Sequence, residues 1–469
     1  MRTDTIAAIA TAVSDSGIGI IRISGDESIA IIDRIYRSKS GKKRLVNVGS
    51  HTIHYGFLYD GASLIDEVMV AVMRAPNTYT KEDTVEIDCH GGILVMNKIL
   101  ETVLKNGCRL AEPGEFTKRA FLNGRIDLSE AEAVMDVIHS KNEFALKASV
   151  NQLKGAVSDK IKNLRDAVLY EIAFIESALD DPEHISLDGY CERLEEKVLT
   201  IRAELKKLID SADNGKLLKD GINTVIVGKP NVGKSSLLNL LVGEEKAIVT
   251  SVAGTTRDVL EESVKLNGIG LNIIDTAGIR DTEDEVEKIG VEKARKYANN
   301  ADLIIYMTDV SQKLDKNDVE IIELIAGKKI IVLLNKTDLD PVVSDVEIDA
   351  LIRSKMTNVS ENNSLRVIKT STKENIGIDA FETAIKEMFF GGEIAVNDEI
   401  YITNVRHKEA LMEAYESMGL VLGSLANHMP EDFYSIDLMS AYASLGRIIG
   451  EEVGDDLVNE IFSKFCMGK

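Results

Sequence analysis

Short runs of alternating apolar and polar side chains dominate the first 120 residues. This period of two predicts strands at residues 19–24, 68–73 and 84–89. A helical spacing follows at residues 93–106. The Ala-rich apolar run at residues 5–13 favours a first strand or turn over a signal peptide. Residues 1–120 are therefore predicted to form one mixed α/β domain.

The spacing of apolar residues becomes helical from Ser129 onward. Ser129 and Glu132 have the form of a capping box that opens a helix. Long helical patterns continue to about residue 219, with an interruption near residues 180–182, and helices are again predicted at 406–426, 435–449 and 455–465. The two helical segments, 121–220 and 386–469, are predicted to be halves of one discontinuous helical domain.

Between these halves, strand and helix patterns alternate. Short buried-strand patterns are found at residues 224–227, 271–274, 303–306, 330–334 and 366–369, each followed by a segment of helix length. This alternation predicts a doubly wound α/β domain over residues 221–385. The simplest architecture inserts that domain between the two helical halves.

Composition and charge limit the function classes. The chain is 44% apolar and 28% charged with 6 prolines, as expected of a folded protein, and its net charge of −22 disfavours unaided binding of nucleic acid. The acidic excess is strong after residue 386 and absent before residue 120. The chain lacks a long apolar run and a Cys-x-x-Cys pair, so a cytoplasmic protein without membrane span, disulfide framework or zinc site is expected. Its four cysteines lie far apart: Cys89, Cys108, Cys191 and Cys466.

A phosphate-binding motif of the form G-x-x-x-x-G-K-S follows the strand at residues 224–227. Its glycines allow backbone N–H groups to surround phosphates, Lys234 supplies a cation, and the Ser235 hydroxyl can hold Mg²⁺. A chance Gly-rich turn before a helix is the alternative for this motif alone. The residues predicted to bind nucleotide here are Asn231, Val232, Gly233, Lys234, Ser235 and Ser236.

Three further motifs follow strands in the order expected of a GTPase. Asp275 can act on Mg²⁺ through water, the carboxylate of Asp338 suits the N1 and N2 donors of guanine, and backbone amides after the next strand can meet guanine O6. Together they favour GTP over ATP. The predicted residues are Asp275, Thr276, Ala277, Gly278, Asn335, Lys336, Asp338, Ser371, Thr372 and Lys373.

A polar loop at residues 250–258 lies where a switch that senses the γ-phosphate is expected. Ile279 follows the second motif, so the water-orienting glutamine of Ras-type GTPases is absent. The acidic run at residues 281–287 either supplies a carboxylate for that task or is a solvated surface segment. The loop residues assigned to the nucleotide site are Thr250, Ser251, Val252, Ala253, Gly254, Thr255 and Thr256.

Four sequence features occur together in this chain: the phosphate loop, the Ala-Gly-Thr-Thr-Arg-Asp loop, the Pro-Gly-Glu-Phe stretch at residues 113–125 and the Phe-Cys-Met-Gly-Lys terminus. With them the chain closely resembles the MnmE (TrmE) family of tRNA-modification GTPases over its whole length. The resemblance implies a folate-binding N-terminal domain that dimerises, a discontinuous helical domain and an inserted P-loop GTPase domain.

The family resemblance also implies an activity. With the FAD-dependent partner MnmG (GidA), in a heterotetramer, a homodimer of such a chain adds a carboxymethylaminomethyl-type group to carbon 5 of the wobble uridine of certain tRNAs. The one-carbon unit comes from a tetrahydrofolate derivative (5-formyl- or 5,10-methylene-), and tRNA is contacted mainly through the partner. GTP hydrolysis is stimulated by K⁺, which replaces an arginine finger.

Individual positions acquire roles from the same resemblance. Asn231, Thr250, Val252 and Thr255 fall on the potassium positions, Ser235 and Thr256 on the magnesium positions, and Glu287 on the water-orienting glutamate. Arg22, Glu86, Arg125 and Lys469 fall on the folate positions, where a carboxylate suits pterin N–H donors and cations suit the glutamate tail. The implied catalytic residues are Glu287, Lys234 and Cys466.

Two alternatives stay open at the level of sequence. A regulatory or ribosome-assembly GTPase would explain residues 224–385 equally well but gives no role to Arg22, Arg125 or the C-terminal tail. A nucleotide-gated scaffold would use the helical halves only to hold a partner, and it predicts that Cys466 is dispensable for tRNA modification.

Overall fold

The computed structural model describes residues 4–140, 142–244, 261–266, 269–275, 301–325, 328–355, 365–390, 400–466 and 468. The chain divides into two compact units. The first comprises Met1–Ile138, Val150–Ile201 and Glu413–Lys469, and the second comprises His139–Ser149 and Arg202–Met412. The four-segment division expected from the sequence stays a prediction.

The first unit contains a mostly antiparallel sheet. Its order is β3-β4-β5-β6-β2-β1-β7, and β1 pairs in parallel with β7. The strands are β1 (Ile6–Ile9), β2 (Ser16–Ser24), β3 (Tyr36–Ser38), β4 (Thr52–Asp60), β5 (Ser63–Met73), β6 (Thr84–Gly91) and β7 (Arg109–Leu110). The strands predicted at 19–24, 68–73 and 84–89 are confirmed as parts of β2, β5 and β6, and the apolar run at 5–13 contains β1.

Two helices cover one face of this sheet. They are α1 (Ser28–Ile35) and α2 (Ile93–Lys105), and a short 3₁₀ helix spans Leu45–Asn47. Alternate residues of the strands, such as Ile21 and Ile87, pack against Met96 and Ile99 of α2 in one buried cluster. The intervening residues face away from this core, and β2 and β6 align Arg22 opposite Glu86 on that outer face.

Further helices precede and follow the second sheet along the chain. They are α3 (Glu115–Leu122), α4 (Leu128–His139), α5 (Glu143–Leu153), α6 (Ala156–Asp180) and α7 (Tyr190–Asp220), followed near the C-terminus by α12 (Val405–Ala426), α13 (Glu431–Ile449) and α14 (Asp455–Ser463). The predicted interruption near 180–182 is confirmed by the end of α6. No helix in the described part of the chain has the length and apolar character needed to span a bilayer.

The first turn of α4 corrects the predicted capping box. Asp127 Oδ1 accepts the N–H of Glu130 at 3.0 Å, and Glu130 Oε2 accepts the N–H of Asp127 at 2.8 Å. Ser129 is buried, and its hydroxyl donates to Asp127 Oδ1 at 2.7 Å. The box at Ser129 and Glu132 was therefore wrong, because two overlapping patterns of the same form stand two residues apart and burial of Ser129 selects the first.

The second unit contains a sheet in the order β13-β12-β11-β8-β10-β9. All pairs are parallel except β9 with β10. The strands are β8 (Ile222–Val227), β9 (Glu261–Leu266), β10 (Ile269–Asp275), β11 (Leu303–Asp309), β12 (Ile330–Asn335) and β13 (Leu365–Lys369). The five strands predicted here are confirmed, and the antiparallel edge strand β9 was not predicted.

Helices accompany this second sheet: α8 (Lys234–Glu244), α9 (Lys316–Ile325), α10 (Asp345–Lys355) and α11 (Ile378–Phe390). Every residue of β11 and β12 is buried, and their side chains alternate between two separate apolar clusters. Burial on both faces is why these strands appear in the sequence as continuous apolar runs. Because the strands are parallel, their carboxyl ends lie at one edge, where ligands bind in such folds.

Candidate functional site

The phosphate loop connects β8 to α8 in the second unit. Its backbone has positive φ at Gly228 (152°), Asn231 (62°) and Gly233 (109°), as a loop that turns N–H groups inward requires. The Lys234 ammonium donates to the carbonyl oxygens of Gly228 at 2.7 Å and Lys229 at 2.8 Å. Ser235 and Ser236 are exposed at the start of α8. These φ values and contacts are compatible with a phosphate loop, and nucleotide binding by its residues stays a prediction.

Asn335 connects the phosphate loop to the loop after β13, which is predicted to bind the guanine base. It ends β12, is 1% exposed, and donates from Nδ2 to the carbonyl oxygen of Val232 at 2.8 Å. Its Oδ1 accepts the N–H of Thr372 at 3.0 Å. A Cβ atom at Gly233 would lie 2.3 Å from Nδ2 of Asn335, so this close approach requires glycine. Asn335 is therefore a structural link between two loops.

The segment after β13 forms a tight loop beside Asp338. The Ser371 hydroxyl donates to Asp338 Oδ1 at 2.9 Å, and Ser371 exchanges backbone hydrogen bonds with Ile376. The Asp338 side chain is 14% exposed. Among the described contacts, the amides of Ser371 and Thr372 are occupied, which leaves the Lys373 amide for a ligand such as guanine O6. The predicted carboxylate and amide lie in one loop cluster.

Lys336 is held by a carboxylate that sequence reasoning missed. Its Nζ lies 2.8 Å from Oδ2 of Asp309, which is 2% exposed and ends β11. Burial raises the pKa of Asp309, but hydrogen bonds from Lys336 and Ser311 outweigh burial, so the pKa lies below its ordinary value. Asp309 was detectable in sequence as the carboxylate at the end of an apolar strand.

Most of the switch residues predicted for the site fall outside the described residues. Asp275 is the last residue of β10, and only its backbone is described. The others are Thr250, Ser251, Val252, Ala253, Gly254, Thr255, Thr256, Thr276, Ala277, Gly278, Glu287 and Lys469. Their assignments stay predictions.

The first unit brings together three of the four predicted folate residues and the C-terminal tail. Arg22 donates from Nε to Glu86 Oε1 at 2.8 Å and from Nη1 to the carbonyl oxygen of Gly468 at 3.0 Å. The guanidinium carbons of Arg22 and Arg125 lie 5.7 Å and 4.7 Å from the ring centroid of Tyr79. Tyr79 is half-buried and was missed, since a lone aromatic residue carries no sequence signal for a site.

The C-terminal tail lies against two earlier segments of the same unit. The Gly114 N–H donates to the carbonyl oxygen of Cys466 at 3.3 Å, and a Cβ at Gly114 would lie 2.6 Å from the Phe462 carbonyl oxygen. Gly468 has a φ of 90°, and its Cβ would lie 2.5 Å from the carbonyl oxygen of Ile9. The Cys466 residue is exposed and its thiol is free. The Pro-Gly-Glu-Phe stretch and the terminal motif are thus in contact.

Comparisons with known proteins agree with these motifs. Residues 128–466 match the family described as MnmE helical domain, and residues 5–125 match the family described as GTP-binding protein TrmE N-terminus. The chain belongs to the MnmE family of tRNA modification GTPases. The resemblance predicted from the motifs is confirmed.

Members of the MnmE family match this chain from end to end. The tRNA modification GTPase MnmE of Lachnoclostridium phytofermentans is 58% identical over 469 residues, which is 100% of both chains. That of Clostridioides difficile is 48% identical over 466 residues, or 99% of both chains.

Among solved structures, the chain is similar to Aquifex aeolicus Era in a crystal structure bound to GDP.AlF4-. The match is 29% identical, covers 42% of this chain and 67% of the Era chain, and has a TM-score of 0.27.

Proposed function

We propose that this chain is a K⁺-stimulated, Mg²⁺-dependent GTPase that works with an FAD-dependent partner. Together they add a carboxymethylaminomethyl-type group to carbon 5 of the wobble uridine of certain tRNAs, with a one-carbon unit from a tetrahydrofolate derivative. Membership of the MnmE family supports the tRNA-modifying GTPase activity. The finer chemistry is supported by the two residue clusters described above.

One observation carries this proposal over a GTPase switch without modification chemistry. The tail carbonyl of Gly468, the Arg22–Glu86 pair and the ring of Tyr79 meet in the first unit, which contains none of the phosphate or base motifs. The residues fit a folate: Glu86 is a carboxylate for pterin N–H donors, Arg125 and Arg22 are cations for a carboxylate tail, and Tyr79 offers a half-buried ring. A switch that only binds GTP leaves this cluster without a role.

In the second unit, the side chains would act by placing charges and hydrogen-bonding groups around the nucleotide. Lys234 would neutralise charge on the outer phosphates, and Asp338 and the Lys373 amide would recognise guanine. Mg²⁺, with Ser235 and Thr256 as ligands, and K⁺, with Asn231, Thr250, Val252 and Thr255, would supply positive charge. Glu287 would orient the attacking water.

A homodimer through the N-terminal domain is supported by an apolar surface on the outer face of β4 and β5. Ile53 (66% exposed), Tyr55 (47%) and Met69 (44%) lie there, and Tyr55 is aligned opposite Met69. Such a patch is typical of association surfaces. The acidic excess of the chain supports tRNA binding mainly through the partner, in a heterotetramer. The proposal includes a cytoplasmic location.

The decisive experiment reconstitutes the reaction. The purified chain is mixed with an FAD-dependent partner, tRNA, GTP, KCl and methylene-tetrahydrofolate, and the nucleosides are analysed by mass spectrometry. We expect a modified wobble uridine that disappears when GTP or folate is omitted, and folate binding by the chain alone in calorimetry. GTP hydrolysis without folate binding or modified uridine would support the switch instead.

A further inference from the structure

A lysine of the phosphate loop is held by two carboxylates outside the known nucleotide motifs. The Nζ of Lys229, the residue after Gly228, lies 2.7 Å from Asp318 Oδ2 and 2.9 Å from Asp315 Oδ2. The Lys229 side chain is only 13% exposed. Burial lowers the pKa of Lys229, but the two carboxylates outweigh burial and the pKa is raised, so the ammonium stays charged. Lys229 is therefore a fixed part of the loop and not a solvated side chain.

The two carboxylates are positioned before they meet the lysine, because they form the N-terminal cap of α9. Asp315 Oδ1 accepts the N–H of Asp318 at 3.2 Å, and Asp318 Oδ2 accepts the N–H of Asp315 at 2.9 Å. Asp318 Oδ1 also accepts the hydroxyl of Tyr306 in β11 at 2.8 Å, and both side chains are buried. We call Lys229, Asp315, Asp318 and Tyr306 the clasp.

The clasp reaches the phosphate-binding lysine through the backbone. The carbonyl oxygens of Gly228 and Lys229 accept the hydrogen bonds of the Lys234 ammonium at 2.7 and 2.8 Å. Gly228 is closely packed, since a Cβ there would lie 2.3 Å from the Met307 carbonyl oxygen. Gly228 is restrained by this packing, and Lys229 is restrained by the ion pairs of its side chain, so both carbonyl oxygens belong to residues that are held in place.

We propose that Lys229 is a positioning residue for GTP binding and hydrolysis. The clasp fixes the carbonyls that aim Lys234 at the phosphates, so Asp318, which is remote from the nucleotide motifs in sequence, influences the reaction through Lys229. The inference rests on the GTPase activity in the proposed function but is independent of tRNA modification. The competing explanation is that the clasp only anchors α9 and stabilises the second unit.

The first test replaces Lys229 by methionine in the full-length chain. Removal of the charge should lower kcat/KM for GTP hydrolysis by about tenfold or more, since misplacement of a reacting group is costly even when its cause is distant. GDP affinity, measured by fluorescence titration, should fall as well. Lys229→Arg should restore both, because the guanidinium also pairs with two carboxylates. Lys355→Met is the matched control: Lys355 pairs with Glu323 of α9 at 2.7 Å but lies outside the phosphate loop.

A double variant separates positioning from stability. Lys229→Met leaves the buried Asp318 carboxylate without its cation and should lower Tm. Lys229→Met combined with Asp318→Asn removes that charge and keeps an acceptor for Tyr306, but the amide loses the acceptor for the Asp315 N–H. Tm should therefore recover in part while kcat/KM and GDP affinity stay low. Recovery of all three together, or unchanged kinetics in Lys229→Met, would overturn the proposal. If the wild-type chain fails to hydrolyse GTP, the proposed function fails, and GDP affinity alone still decides the role of Lys229.

Discussion

The Nη1 atom of Arg22 lies 3.0 Å from the carbonyl oxygen of Gly468, so the second strand of the chain contacts its C-terminal tail. The same guanidinium donates to Glu86 and lies near the ring of Tyr79. The tail is thus held by its backbone, beside a carboxylate and an aromatic ring. The exposed Cys466 thus lies between two backbone anchors of the tail, its own hydrogen bond from Gly114 and the contact of Gly468 two residues later.

Substitution of that glycine tests the tail directly. In Gly468→Ala, the φ of 90° and the approach of a Cβ to within 2.5 Å of the Ile9 carbonyl oxygen should release the tail. We expect folate affinity and wobble-uridine modification to fall about tenfold or more, while GTP hydrolysis stays normal because its motifs lie at residues 228–373. Gly423→Ala is the control, since nothing lies within 4 Å of its Cβ. Full modification activity in Gly468→Ala would exclude a role for tail placement.

Removal of residues 466–469 extends this test to the thiol. The truncated chain should keep its fold and its GTP hydrolysis but lose tRNA modification, and Cys466→Ser should do the same if the thiol takes part. Circular dichroism and GTP turnover serve as the controls. Normal modification by the truncated chain would show that the tail only packs, and it would withdraw the catalytic assignment of Cys466.

Thiol reactivity should divide the four cysteines into two pairs. Burial raises the pKa of Cys89 to about 11 and that of Cys108 to about 12, so both remain neutral thiols at pH 8, while Cys191 and Cys466 are exposed. Because the thiolate is the reactive form, labelling with a thiol reagent at pH 8 should show two fast groups and two that react only on unfolding. Cys466→Ser should leave one fast group. A third fast thiol in the native wild-type chain would contradict the burial of Cys89 and Cys108.

Hydrolysis should depend on potassium. Ile279 leaves the site without a water-orienting glutamine, the polar switch loop provides oxygen ligands, and the family resemblance implies that K⁺ takes the place of an arginine finger. Replacement of KCl by NaCl at equal ionic strength should slow GTP turnover about 100-fold, as for loss of one charge-stabilising group, and Asn231→Ala should abolish the difference between the salts. Phosphate release is the measurement. Equal wild-type rates in both salts would exclude the potassium mechanism.

Glu287→Ala should separate hydrolysis from binding. A group that orients water acts in the transition state, so turnover should fall by on the order of 10² to 10⁴ while GTP affinity is retained. Glu283→Ala, in the same acidic run, is the control and should leave turnover unchanged. A parallel loss of nucleotide affinity in Glu287→Ala would make the acidic run a structural element.

Local sequence patterns were sufficient for most elements and missed others for physical reasons. Strands with one polar face or two buried faces, such as β2 and β12, were predicted because burial repeats regularly along them. The strand β4 was not predicted, although Ile53, Tyr55 and Phe57 alternate with His54 and Gly56. The usual burial is inverted there, because the large apolar side chains lie on the outer face while His54 and Gly56 are buried. The strands β3 and β7, with three and two residues, are too short to show any period.

The sequence by itself determined the nucleotide motifs, since a phosphate loop is a contiguous segment whose glycines and lysine act within eight residues. Only the tertiary structure decided that Asn335 binds the phosphate loop, that Lys229 is held by Asp318, and that the tail at Gly468 lies beside Arg22. Each of these contacts joins residues far apart in the chain, and their partners are fixed by strand order and burial. The local spacing of residues does not predict strand order or long-range burial, because hydrogen bonds and ion pairs act over a few ångströms in space, whatever the distance along the sequence.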